Sequence, residues 1–474
     1  MVTGRRQRVH ALGGPAAFLL LAFAPLASIP YAVRASLGLL IWMSWWWVTE
    51  PVHLAVTAFL PVVVLALFNF LPVATILPAY SEPLVMLLIG ANILATLWRR
   101  CGLDRRIALV SLLGIGTGTR QQIVSWFLIA STLSAFLPNA VVAATMMPIV
   151  IAMLRFLGIA DPGKNAFGSA LLIAVAWGTS IGGAGTPLGG AHNLLAIQFL
   201  ERLAGHEYLF TTWLWRVLPL TVLLTAASAV FMRRAFSLET ERLEGSKAFF
   251  AQELRALGPM SRPERWGLAL FGAATLLAFT RQLYAALVPG LAPAFVFLAF
   301  GVLAFAIRHR GEPLLEWNYA EKHMVWGLIY LFAGGSALGQ VLSDTGTAKF
   351  VAERLTPLAG GGGLLAVAVF TLLAVVVTQI TSNTAAVAIV VPITISTFQG
   401  LGLNPVPFVY IVTSAANCGL MLPSSSAGPA IAAGYGVNLR TMFRVGAALT
   451  VVIWVLLVVA GYLAARFWPG FGVA

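Results

Sequence analysis

The sequence predicts an all-α polytopic membrane protein of about eleven transmembrane helices, with two re-entrant helical hairpins in an inverted repeat. Three observations predict it. Of 474 residues, 59% are hydrophobic and only 9% charged, with a mean hydropathy of +0.91, whereas soluble domains carry about 25% charged residues. Apolar stretches recur from end to end at roughly 17 to 25 residues, the length that crosses a bilayer as helix. Two of them, "FLPNAVVAATMMP" around Asn139 and "QITSNTAAVAIVVP" around Asn383, are interrupted by hydrogen-bonding residues at related places.

Residues 1–78 read as N-terminal scaffold helices. The start, "MVTGRRQRVHALGGPAAFLLLAFAPLA", has the basic head of a signal peptide. Spanning segments simply continue after it, so the first helix is expected to be retained. Helices near 12–30, 33–48, 54–72 and 83–98 put Arg99, Arg100, Arg105 and Arg106 inside when the N-terminus is cytoplasmic. Most of the 29 Lys and Arg fall inside on this topology, as the positive-inside rule requires. The net charge of +13 therefore reports orientation in a cell (inner) membrane. It does not report a nucleic acid partner. Cys101 and Cys418 are far apart in apolar context and suggest neither a disulfide nor a metal site.

Residues 79–232 form the first repeat, with its hairpin near 121–154. The polar stretch 233–265 reads as a cytoplasmic amphipathic connector, and 266–474 as the second repeat, with its hairpin near 360–395. The repeat is legible in landmarks. "LLIGANILATLWRRCGLDRRIA" and "YLFAGGSALGQVLSDTGTAKFVA" each read as a helix, a turn at Gly102 or Gly346, and a short amphipathic stretch. Gly102 precedes Asn139 by the same 37 positions that separate Gly346 from Asn383, and each Asn stands nine before a proline, Pro148 or Pro392.

Each Asn lies within about 30 apolar residues, and at a rise of about 1.5 Å per residue neither flank alone makes a comfortable crossing. A hairpin whose tip reaches the midplane fits better. Irregular backbone at that depth survives only inside protein or beside a water-filled cavity, so the tips must meet within the bundle. A returning arm that begins at the tip aims its unpaired N–H groups and positive dipole end at the cavity, which suits an anion. Ser382 and Asn383 can cap that arm and present oxygen to an ion, and Thr384 offers a hydroxyl to a carboxylate. The plainer reading is that Ser-Asn-Thr only caps a broken helix. Two further breaks, "SIGGAGTPLGGAHN" and "GLMLPSSSAGP", free carbonyls suited to sodium. At Gly182 and Gly183, close helix packing is the competing reading.

At these residues the chain resembles the divalent anion/sodium symporters, carriers of dicarboxylates, citrate or sulfate. "WWWVTEPVHLAVTAFLPVV", "CGLDRRIAL", "GTPLGGAHN" and "SNTAAVAIVVP" carry the likeness, which covers most of the chain. The resemblance implies a homodimer with a scaffold and a mobile transport domain in each protomer, moving as an elevator. It implies Na+ as coupling ion, held first by Ser134, Pro138 (backbone), Asn139 and Gly189, then by Thr378, Ser382, Asn383, Ser425 and Ala427. A small anionic substrate, with C4-dicarboxylates favoured, would touch Asn139, Gly190, Asn383, Thr384 and Ser426. Exchange, proton coupling and sulfate or citrate as substrate are alternatives.

The chain departs from the pattern at the first tip, which reads Pro138-Asn139-Ala140 where Ser-Asn-Thr is usual. Ala191-His192-Asn193 and Ala427-Gly428-Pro429 replace Pro-Pro-Asn, and Gln379 replaces an acidic residue. His192, an ionisable group within a transport bundle, is a candidate proton or anion site, against the plainer reading of a histidine satisfied by a carbonyl. Glu50 and His53 read as scaffold residues. No constellation of nucleophile and base stands out, which argues against an enzyme. A channel would need a continuous pore framed by the hairpins.

Overall fold

The computed structural model describes residues 2–26, 28–114, 116, 118–236, 246–355, 357 and 363–473. Every long element is helical. The chain opens with α1 (Val2–Ala22), α2 (Tyr31–Thr49) and the short α3 (Leu54–Thr57) and α4 (Leu60–Phe68). Seven helices follow: α5 (Pro83–Cys101), α6 (Leu103–Leu112), α7 (Thr119–Ser134), α8 (Asn139–Phe156), α9 (Ala166–Gly182), α10 (Ala191–Ala204) and α11 (Phe210–Ala235). Five more lead to the second half: α12 (Ser246–Ala256), α13 (Arg262–Phe279), α14 (Arg281–Tyr284), α15 (Pro293–Ala306) and α16 (Trp317–His323). The last seven are α17 (Trp326–Asp344), α18 (Thr347–Leu355), α19 (Leu364–Ile380), α20 (Asn383–Gly400), α21 (Val406–Ala416), α22 (Ala427–Gly434) and α23 (Leu439–Phe467).

Helices α5–α11 correspond in order to α17–α23. The first four pairs match in length, at 19 and 19, 10 and 9, 16 and 17, and 18 and 18 residues. The turn that closes the first pair is fixed by backbone chemistry. Gly102 and Gly346 adopt φ of 76° and 71°, a left-handed conformation that glycine reaches without steric cost.

Both hairpins are real bends. Trp126 of α7 and Phe156 of α8 pack on the adjacent Phe250 and Phe249 of α12, with ring centroids 5.9 and 5.4 Å apart. A straight helix would separate Trp126 from Phe156 by about 45 Å. In the second half Phe370 of α19 meets Phe398 of α20 at 5.4 Å, where a rod would set them about 42 Å apart. Residues 121–154 and 364–395 therefore double back on themselves.

Among the described residues, six helices are long and apolar enough to cross a bilayer, or seven if α16 and α17, bent by 62°, make one span. Five shorter apolar helices accompany them, among them Val406–Ala416, where an unwound stretch cuts the span short. Burial sorts the long helices: 94% of the Ala166–Gly185 window is enclosed but only 28% of Phe210–Ala235. The former is core, and the latter presents its apolar side outward.

Of the expected connector, residues 237–245 lie outside the described residues. The remainder is tied to the first repeat. Arg105 pairs with Glu253 at 2.5 Å and Arg106 with the buried Glu264 at 2.5 Å, while Ser261 and Glu264 form a capping box that starts α13.

Candidate functional site

The tips are where helix formation is locally interrupted. Pro138, at φ −53° and ψ 135°, cannot continue α7, and its carbonyl accepts the Val141 and Val142 N–H groups at 2.9 and 3.2 Å to begin α8. At the second tip Ser382 does this work: its hydroxyl accepts the Ala385 N–H at 3.2 Å and its carbonyl the Ala386 N–H at 2.9 Å. Both residues serve as helix caps. Because proline replaces serine, α8 has no side-chain cap.

Against each tip lies an unwound stretch. α9 gives way to short 3-10 turns at Gly183–Gly185 and Pro187–Gly189 before α10 starts, and α21 to one at Pro423–Ser425 before α22. Small residues permit the approach. A Cβ on Gly183 would come within 2.4 Å of Asn139 Oδ1, and one on Gly189 within 2.6 Å of the Ser134 carbonyl. Gly182 instead packs directly on the Ser131 backbone, 2.2 Å from where its Cβ would be.

Two matching groups of four oxygen-bearing partners result. In the first half, Ser134 Oγ lies 2.7 Å from the Asn139 amide and donates to the Thr179 carbonyl at 2.8 Å. The same amide atom is 2.6 Å from the Gly189 carbonyl and 3.2 Å from that of Thr179. In the second half, Thr378 Oγ1 lies 2.9 Å from the Asn383 amide and donates to the Ala416 carbonyl. That amide atom is 3.2 Å from the Ala416 carbonyl and 3.0 Å from that of Ser425. With its nitrogen turned inward, each amide donates to these oxygens. With its oxygen inward, four neutral oxygens converge, a donor set that suits a hard monovalent cation. Thr179 and Ala416 stand at the C-terminal ends of α9 and α21, where the helix dipole is negative.

On the other face of the tips is a cavity of about 510 Å³. Its wall includes Pro138, Asn139 and Ala140, Gly190 to His192, Ser382 to Thr384, and Ser426 and Ala427. These are the first residues of α8, α10, α20 and α22, so four helix N-termini face one space. Only α20 has a side-chain cap. Among the described residues, no Lys or Arg lines the cavity. An anion here meets backbone N–H groups and dipole ends, each helix contributing about half a positive charge. The halves are joined behind it by Ser180 Oγ to Ser426 Oγ at 2.8 Å and by Trp177 Nε1 donating to the Leu420 carbonyl at 2.9 Å.

A family model for the sodium:sulfate symporter transmembrane region matches residues 11–472. The chain belongs to the sodium:sulfate symporter family. It is a membrane transporter and not an enzyme, in keeping with the resemblance read from its motifs. Among its relatives, the sodium-dependent dicarboxylate transporter SdcS of Staphylococcus aureus is 28% identical over 457 residues, 93% of this chain and 88% of the relative. Two solved transporters share the fold alone. Neisseria gonorrhoeae MtrF aligns at a TM-score of 0.54 and 12% identity, over 94% of this chain and 97% of its own. Alcanivorax borkumensis YdaH aligns at 0.52 and 14%, over 84% and 88%.

Within this symporter the expected residues gather as follows. Ser134, Asn139 and Gly189 meet in the first oxygen group; Thr378, Asn383 and Ser425 meet in the second. Pro138, Ser382 and Ala427 are helix-start residues on the cavity wall. Asn139, Gly190, Asn383, Thr384 and Ser426 all line the cavity, as does His192. Sequence reasoning missed the carbonyls of Thr179 and Ala416, and Asn417, 2.9 Å from the Asn383 amide. Glu50 and His53, read as scaffold, also reach the cavity. Their side of it comes from the α2–α3 connection beside α17.

Proposed function

We propose that the protein is a secondary active transporter that couples the uptake of small divalent anions, C4-dicarboxylates above all, to sodium. The observation that carries this reading is the convergence of four helix N-termini on a cavity that, among the described residues, no Lys or Arg lines. The four helix ends together present about two positive charges, as fixed partial charges spread over their backbone N–H groups. A cation in either oxygen group adds positive charge directly behind a tip. Sodium would thus organise Ser134, Asn139, Gly189, Thr378, Asn383 and Ser425 before the anion arrives at Asn139, Gly190, Asn383, Thr384 and Ser426, with Pro138, Ser382 and Ala427 shaping the approach. The printed name of the Staphylococcus aureus relative, a sodium-dependent dicarboxylate transporter, supports both ion and substrate class.

An elevator movement suits this cavity. One side belongs to the hairpins and broken helices, which are knitted together across the two halves; the other belongs to Glu50, His53, Val325, Gly327 and Leu328. A homodimer in the cell (inner) membrane with a cytoplasmic N-terminus completes the proposal, on the family resemblance and the distribution of Arg and Lys. His192 on the cavity wall favours a second reading, proton coupling. Uptake of labelled succinate, citrate and sulfate into proteoliposomes, with sodium and proton gradients imposed separately, tests the choice. Sodium-driven succinate accumulation is expected. Exchange that ignores both gradients would replace this reading with an exchanger.

A further inference from the structure

His192 is the second residue of α10 and is only 3% exposed. Neither ring nitrogen has a hydrogen-bond partner among the described residues, and Nε2 is fully enclosed. Buried polar groups in native proteins are nearly always paired, so an unpaired one calls for a ligand or a reason. Space has been kept for this ring. A Cβ on Gly190 would lie 2.2 Å from His192 Cε1 and 2.6 Å from Nδ1. The second half cannot offer an equivalent, because Gly428 holds that position and its Cβ would fall 2.4 Å from Thr179 Oγ1.

The two walls of the cavity are also unequal in donors. The second half contributes the hydroxyls of Ser382, Thr384, Ser424 and Ser426 beside the Asn383 amide. The first contributes Pro138, Asn139, Ala140, Gly190, Ala191 and His192. Of these six, only Asn139 and His192 have a polar side chain.

We propose that His192 is a substrate-binding residue: its neutral imidazole donates the N–H of Nδ1, the ring nitrogen that is not enclosed, to one carboxylate of the bound dianion, where the first tip, with Ala140, lacks a hydroxyl. This rests on the dicarboxylate reading above. It differs from proton coupling in that no proton leaves the ring during transport. The other titratable groups on the cavity, Glu50 and His53, lie on the opposite wall formed by the α2–α3 connection.

The test is initial-rate uptake of labelled succinate by the full-length protein in proteoliposomes at saturating sodium. One hydrogen bond to a carboxylate corresponds to a change of roughly tenfold to a hundredfold, so His192→Ala should raise KM by about tenfold or more while leaving the sodium half-saturation within about twofold. His192→Asn, which keeps a donor, should recover most of the loss. Ala140→Thr placed in the His192→Ala background should restore the missing hydroxyl and bring KM back to within about threefold of wild type. If His192→Ala does not yield monodisperse protein, His192→Phe removes the donor while filling the space. An unchanged KM in the donor-free variant overturns the proposal. So does a loss that neither His192→Asn nor Ala140→Thr relieves, or a loss confined to the response to a proton gradient. Absence of succinate uptake by the wild type would defeat the dicarboxylate reading instead.

Discussion

Asn139 and Asn383 each do two jobs with one amide. With its oxygen turned to the unwound stretch each amide would complete an oxygen group, while the residue itself lines the cavity. On the proposed sodium-coupled reading, truncation at either position removes a cation ligand and a cavity wall together. Asn383→Ala is expected to abolish succinate uptake while size-exclusion behaviour and thermal unfolding in detergent stay near wild type. Wild-type rates would exclude the second tip from the site. Gly183 makes a finer probe, because its added methyl would sit 2.4 Å from Asn139 Oδ1 and must displace that amide. Gly183→Ala should raise the sodium concentration for half-maximal uptake by about tenfold or more, as expected when a ligand shift of a fraction of an ångström loses about one oxygen contact. A sodium dependence equal to wild type would place the cation elsewhere.

At the scale of elements, the second hairpin is held by an aromatic contact across its arms, and the first by the aromatic pair of α12 that both its arms meet. Phe370 and Phe398 meet with tilted rings at 5.4 Å, a geometry worth about 0.5–1.5 kcal/mol beyond buried area. A double-mutant cycle with Phe370→Leu and Phe398→Leu, read by thermal unfolding, should return a coupling of about that size. Additive effects would mean the arms are not in contact. These elements also define what the sequence could reveal. Gly102, Gly346, the two Asn and the two Pro announce the repeat because each does something at that position that few other side chains do. The carbonyls of Thr179 and Ala416 were invisible for the opposite reason, since every residue has a carbonyl and only the fold selects which ones meet the tips. Glu50 and His53 reach the cavity through long-range packing of α3 beside α17, which no local pattern encodes. Ser134 and Thr378 were legible only through family resemblance; once the structure is known, each stands five residues before its Asn as the hydroxyl of an oxygen group.

For the whole molecule, both oxygen groups are closed by partners from separate elements, a hairpin on one side and a broken helix on the other. Each group exists only while its tip is docked. A cation that binds there must stabilise the docked protein relative to any state in which tip and broken helix separate, by RT ln(1 + [Na+]/Kd), or about 2.7 kcal/mol at a hundredfold excess over Kd. Sodium should therefore raise the unfolding temperature of the detergent-solubilised protein along a saturating curve, while potassium or choline at equal ionic strength should not. Ser134→Ala and Thr378→Val each remove one hydroxyl from one group. The double variant should flatten the curve, and each single variant should leave a response from the intact group. An equal shift with every cation would trace the stabilisation to ionic strength relieving the self-repulsion of a chain of net charge +13, since screening attractive surface pairs such as Arg105–Glu253 would act the other way. That result would dissociate the oxygen groups from sodium while leaving the four-helix anion cavity in place, and the coupling ion would then have to be sought at His192, Glu50 and His53.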